Sequence, residues 1–176
     1  MGGCSRTGKS TLAQAIASHF TTSGITARML GIDRWLVSID RRTAASTVLA
    51  RYDCDAIVES VGRLMRGQTV HPPVYDLVSR RRIADRSAEG MSLDEGLLIV
   101  EGVVALAITA LVRSATARIY TEIDDPLRLA RLRDFYVNTK GLSAAEAESV
   151  IQARELEEVP FIKNTIVEAD FVFRSD

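Results

Sequence analysis

Apolar positions along the chain switch repeatedly between a helical and a strand period. In residues 10–20, Leu12, Ala13, Ile16 and Phe20 recur at helical spacing, and the pattern stops near Gly24. Residues 25–32 alternate and are rich in apolar side chains, which predicts a strand with Asp33 just past its end. The arginine-rich stretch 33–50 shows no clean period and is expected to mix loop with a short helix. Ile57, Val61, Leu64 and Met65 mark a second helix that Gly67 stops. Pro72 and Pro73 impose an extended segment, and residues 80–90 are expected to form an exposed hairpin.

Leu97-Leu98-Ile99-Val100 is a continuous apolar run, as a parallel strand covered on both faces should be, and it ends at Glu101-Gly102. Residues 103–112 read as a buried helix, and 117–123 as another strand. Pro126 suits the first turn of a helix running towards Tyr136, broken at Gly141. Ser143 with Glu146 three residues on is a capping-box signature, opening a helix to about residue 158, and 169–173 is a last short strand. Strands alternating with helices predict an α/β fold around a parallel sheet, whose ligands sit beyond the carboxyl ends of the strands.

Composition narrows this little. With 176 residues and 47% hydrophobic content the chain suits one domain with a real core. A net charge of −1 supplies no global field towards nucleic acid or a membrane, so neither is expected as a partner. Cys4 and Cys54 make no disulfide framework, and a reducing cytoplasm is the default expectation. The longest apolar run, residues 97–112, is too short to span a bilayer and contains Glu101. Nothing in the sequence bears on the oligomeric state, and a homo-oligomer is allowed.

One stretch changes the picture. Gly3-Cys4-Ser5-Arg6-Thr7-Gly8-Lys9-Ser10, followed by Thr11, fits G-x-x-x-x-G-K-[ST], a loop that cradles phosphates. Its glycines let successive N–H groups turn inward at an anion, and the helix behind adds its positive dipole end. Lys9 is placed to reach β- and γ-phosphates, and the Ser10 hydroxyl to hold Mg²⁺. Such a loop hangs from a buried parallel strand, yet only Met1 and Gly2 precede Gly3; the expectation is a strand upstream of the given sequence.

Phosphoryl transfer from ATP to an alcohol needs a cradle, a metal site, a group that orients the hydroxyl, and cations over the transition state. Glu101, at a strand end, fits the metal role beside Ser10. Asp33, at the end of a different strand, fits the general base. Arg128, Arg131 and Arg133 crowd one predicted helix and Lys140 follows; two residues apart, Arg131 and Arg133 do not share a face, so only some should reach phosphate.

These motifs together resemble the uridine kinase and phosphoribulokinase-like branch of P-loop kinases, over nearly the whole length. The glycine loop matches the family's. Asp33-Arg34-Trp35 stands where uridine kinases have Asp-Ser-Phe-Tyr, whose aspartate is the catalytic base. Tyr52-Asp53 is similar to a Phe-Asp pair that binds ribose hydroxyls, and Pro73 to Arg80 to a Pro-Val-Tyr-Asp-Phe-Val-Ser-His segment that holds the acceptor. Leu98 to Gly102 resembles the strand whose glutamate helps hold magnesium, Arg128 to Arg131 the start of an arginine-rich lid, and Ala169 to Phe173 the closing strand. The departures are Leu77 for a base-stacking phenylalanine, Arg80 for a base-reading histidine, and a shortened lid.

The resemblance implies a three-layer P-loop fold with a parallel sheet of about five strands and a helical lid. It implies an ATP- and Mg²⁺-dependent kinase acting on a small-molecule hydroxyl, foremost a uridine- or cytidine-like nucleoside. Residues 3–11 and Lys140 would bind ATP, Ser10 and Glu101 the metal. Asp33, Tyr52, Asp53, Tyr75, Leu77, Arg80 and Arg131 would face the acceptor, with Asp33, Lys9, Arg131 and Arg133 in catalysis. Arg80 in place of a histidine keeps a second acceptor class open, an anionic alcohol such as a sugar phosphate or pantothenate. A third reading is a regulatory ATPase with no acceptor at all.

Overall fold

The computed structural model describes residues 1–43 and 46–175, apart from the side chains of residues 84–87. Helix α1 (Lys9–Thr22) follows the glycine loop directly, and β1 (Ala27–Gly31) returns along it. Three single 3₁₀ turns, Ile32–Trp35, Ile39–Arg41 and Leu49–Arg51, carry the arginine-rich stretch where one short helix was expected. Helix α2 (Cys54–Leu64) buries Ile57, Val61 and Leu64, but Met65 falls past its end and is exposed.

The hairpin expected within residues 80–90 begins earlier: the extended segment is its first strand, β2 (Pro73–Asp76), pairing antiparallel with β3 (Arg81–Ser87) and with Leu77 to Arg80 as the turn. Asp76 locks that turn, accepting from the Val78 and Ser79 N–H groups and the Ser79 hydroxyl. The hairpin is less exposed than its charge suggests. Strand alternation turns Arg82 inward, where it donates to the Trp35 and Leu36 carbonyls, while Arg81 stays in solvent.

After β4 (Leu97–Glu101) the expected ten-residue helix is a 3₁₀ turn, Ala105–Ala107, and a short α3 (Thr109–Ser114). The Ala105 and Ala107 N–H groups close bonds to carbonyls three residues back, and these tight turns bury Val103 to Leu106 and Ile108. Strand β5 (Ile119–Glu122) leads to α4 (Asp125–Asp134), which widens into a π-helix over Phe135–Thr139. Helix α5 (Ala144–Glu157) opens on the predicted Ser143–Glu146 capping box, and α6 (Val159–Asn164) follows without the gap in pattern that would have marked it. Strand β6 (Phe171–Arg174) closes the fold.

Parallel pairs β1–β4 and β5–β6 lie on either side of Met1 and Gly2. The Met1 N–H donates to Val100 O and its carbonyl accepts from Gly102 N–H. Gly2 pairs with Tyr120 of β5. The sheet therefore runs β1, β4, residues 1–2, β5, β6, five parallel positions of which the central one is held by Met1 and Gly2. That order puts the glycine loop at the carboxyl edge, between the ends of β4 and β5. Leu30, Ile32, Ile57, Leu64, Val104 and Ile162 are among the fully buried side chains of the core beneath it. Each contributes roughly 1.5–3 kcal/mol by leaving water. Among the described residues no helix is long and apolar enough to cross a membrane.

Candidate active site

The glycine loop is shaped by a close approach to β5. Gly3 has φ +135°, and a Cβ there would lie 2.3 Å from the Thr121 carbonyl oxygen, so no side chain fits. Gly8, at φ +88°, makes the left-handed turn from which α1 starts. Between them the Thr7 hydroxyl bonds Cys4 O at 2.9 Å and meets the Thr121 hydroxyl at 2.7 Å, pinning the loop to β5.

Lys9 is buried, and its ammonium donates to Gly3 O at 3.0 Å and Cys4 O at 2.6 Å. It is thus held inside the loop, where a bound phosphate would meet it. Burial pulls its pKa down, and the negative charges of Asp33 and Glu101 oppose that pull. Cys4 is buried with its thiol pKa raised by burial, so it packs rather than reacts.

Ser10 Oγ donates to Glu101 Oε1 at 3.1 Å, joining the first turn of α1 to the end of β4. Burial, and then the charge of Asp33, push the Glu101 carboxyl above its ordinary range. Asp33 comes from the turn after β1, the neighbouring strand; a Cβ on Gly102 would lie 3.4 Å from its Oδ1. Two neighbouring strand ends therefore deliver two carboxylates to the spot where the glycine loop delivers Lys9. Tyr52 completes it, its hydroxyl donating to Asp33 Oδ1 at 3.2 Å. Desolvation first, then the Asp33 charge, hold the Tyr52 phenol well above its usual pKa, so it stays a donor.

Other expected residues have visible partners. Asp53 caps α2 through Ala56 N–H and forms an ion pair with Arg82 at 3.1 Å, committing both oxygens to the fold. The Tyr75 hydroxyl accepts from Arg42 at 3.0 Å. Leu77 is exposed at the hairpin turn, and Arg80 beside it has a left-handed backbone, φ +58°. Thr11, Ser5 and Arg6 remain at the loop surface or half-buried.

The lid arginines divide three ways. Arg128 is neither solvated nor free for phosphate: it is 2% exposed, bonded to Asp125 at 3.0 Å and Glu155 at 2.7 Å. Arg133 pairs with Glu148 on α5 at 3.0 Å. Arg131 is exposed, with no ion-pair partner among the described residues. Lys140 ends the π-helix, its ammonium 5.5 Å from the centre of the Phe135 ring.

Sequence reasoning missed three features. Arg6 of the loop stacks on Phe135, its guanidinium carbon 3.7 Å from the ring centre, which ties loop to lid. Arg154 and Glu158, 3.8 Å apart on the last turn of α5, come within electrostatic reach of Asp33, Tyr52 and Lys9. Arg42 and Arg82, lost in an arginine-rich composition, reach the acceptor-side tyrosine and Asp53. A π-helix has no period of its own to read, and a contact between segments some 130 residues apart leaves no local pattern.

A cavity of about 710 Å³ opens on the other flank of the loop, lined by Thr7, Glu122, Asp124, Leu127, Lys163 and Arg174 among others. It touches none of Asp33, Glu101 or Ser10. It is within the size range of sites that take small organic ligands.

Comparison with known proteins extends these likenesses. A uridine kinase of Latilactobacillus sakei subsp. sakei (strain 23K) is 27% identical over 147 residues, 80% of this chain and 67% of that relative. A uridine kinase of Streptococcus agalactiae is 28% identical over 130 residues, 70% of this chain and 60% of its own length. The chain thus spans about 60–67% of the curated relatives it matches. A solved structure, a putative fructose transport system kinase from Silicibacter sp. TM1040, superposes with TM-score 0.78 at 20% identity, over 98% of this chain and 86% of that one. The model of the "Phosphoribulokinase / Uridine kinase family" matches residues 1–175. With a match that runs the length of the chain, and a fold that brings the motif residues to one sheet edge, this protein belongs to the phosphoribulokinase/uridine kinase family.

Proposed function

We propose that the protein transfers the γ-phosphoryl group of ATP to a hydroxyl of a small molecule. The observation that carries this reading is the meeting of Ser10 with Glu101 at 3.1 Å, beside Lys9 and across from Asp33. A nucleotide-binding switch needs a cradle and a metal site. It has no use for a second strand-end carboxylate with a tyrosine donor on it.

The loop N–H groups and Lys9 bind the donor's phosphates and hold their charge. Ser10 and Glu101 offer hard oxygen donors from two elements, the donor set that suits Mg²⁺, and they would hold it. Bound there, the metal would neutralise charge on the phosphate oxygens. Asp33 orients the acceptor hydroxyl and takes its proton as the new P–O bond forms. Tyr52 keeps the Asp33 carboxylate aimed, and Tyr75 and Asp53 line the acceptor side. Arg131 is the lid residue available to cover the transferred group, whereas Arg133 must first leave Glu148. The cavity beside Thr7 is placed to take the rest of the nucleotide, and a cytoplasmic setting supplies ATP and Mg²⁺.

The curated relatives are uridine kinases, so uridine and cytidine are the first acceptors to test. ADP release should require both Mg²⁺ and an acceptor alcohol, with one phosphorylated product formed per ADP. ADP release at the same rate without any acceptor would favour the regulatory ATPase instead.

A further inference from the structure

We infer, resting on that kinase reading, that the acceptor carries an acidic group, a carboxylate or a phosphate, which docks on Arg42 and Arg80 beside Tyr75. Arg42 is half-buried, with Nε donating to Val37 O at 2.7 Å and Nη2 to the Tyr75 hydroxyl at 3.0 Å. No carboxylate among the described side chains lies within ion-pair distance of it, and Nη1 has no partner among them. Arg80 sits close enough to repel Arg42, and it has no ion-pair partner among the described side chains either.

The backbone around Arg80 is held. Its carbonyl accepts from Ile39 N–H at 2.9 Å, its φ is left-handed, and Asp76 ties the turn before it. Lys140 is in electrostatic reach of Arg80 and of Arg154. The nearby carboxylates are engaged: Asp76 by the turn, Glu158 by Arg154 and Asp53 by Arg82. Tyr52, within reach of Arg42, links this group to Asp33.

The donor inventory decides the ligand class. Guanidinium and ammonium groups only donate, and the Tyr75 hydroxyl, already accepting from Arg42, has its own proton left to give. A neutral pyrimidine edge would leave the charges of Arg42 and Arg80 uncompensated. A carboxylate or phosphate accepts at every oxygen and neutralises the crowded cations.

The test compares turnover of uridine, cytidine and fructose with that of glycerate, pantothenate, ribose 5-phosphate and fructose 6-phosphate, at fixed Mg-ATP. The carboxylates and the phosphates form separate arms. At least one anionic acceptor should exceed every neutral one in kcat/KM. Arg42→Met should raise the KM for that acceptor about tenfold or more with the KM for ATP nearly unmoved, and Arg42→Lys should fall between. Turnover of a neutral nucleoside ahead of all anionic alcohols, no turnover of any anionic member, or an unmoved acceptor KM in Arg42→Met would each overturn the inference. A neutral substrate phosphorylated one-for-one with ADP would leave the kinase reading standing. ADP release independent of every acceptor would remove that reading as well.

Discussion

Glu101 illustrates how a residue proposed to hold the metal burdens the fold. Its carboxyl pKa is raised, first by burial and then by Asp33, above an ordinary value of 4.5. The folded protein thus binds that proton more tightly than the unfolded chain. The associated stability is present below the unfolded pKa and is lost as pH rises through the raised one. Glu101→Gln should therefore raise the thermal midpoint at pH 7 in metal-free buffer, and flatten its decline with pH, while turnover collapses. A lower midpoint in the variant would mean that buried Lys9 depends on the Glu101 charge more than Glu101 suffers from burial. At this scale the sequence was most legible where chemistry demands a residue type at a spacing: Gly3, Gly8, Lys9, Ser10, Asp33 and Glu101. It was least legible for Arg42, Arg82 and Arg154, because an arginine's partner lies wherever its long stem can reach.

Helix α4 and its π-helical extension show the same division between elements. Pro126, the Ser143 capping box and Gly141 marked the boundaries, since caps and breakers act within one turn. Which arginine faces which neighbour was set by the packing of α4 on α5, a long-range fact. Arg128 is the buried clamp of that packing, and its removal would strand the partly buried Glu155. Arg128→Ala should cost about 3 kcal/mol in a urea melt, whereas Arg133→Ala, breaking an exposed pair with Glu148, should cost about 0–1 kcal/mol. Equal losses would show that the lid helix is held by something other than the Arg128 clamp. The contrast also separates a structural arginine from Arg131, whose loss should lower turnover with little effect on stability.

Over the whole molecule, parallel order was foreseeable from strand–helix alternation, and with it the edge where ligands bind. At the sheet's centre Met1 and Gly2 take the position between the two strand pairs and bond to both β4 and β5. Through them the glycine loop is anchored between two half-sheets, and the loop's far side is stapled to the lid by Arg6 on Phe135. Acceptor identity stayed outside the reach of motifs because it depends on which cations the hairpin, the 3₁₀ turns and α5 bring together. In the proposed reaction one edge of this sheet passes a phosphoryl group to a hydroxyl oriented by Asp33. Its most direct test is Asp33→Asn, assayed for acceptor-dependent turnover alongside calorimetric ATP binding. The expected result is a fall in kcat of ~10²–10⁴ with ATP affinity within about threefold of the parent; unchanged turnover in a variant that still binds ATP would remove Asp33 from the reaction.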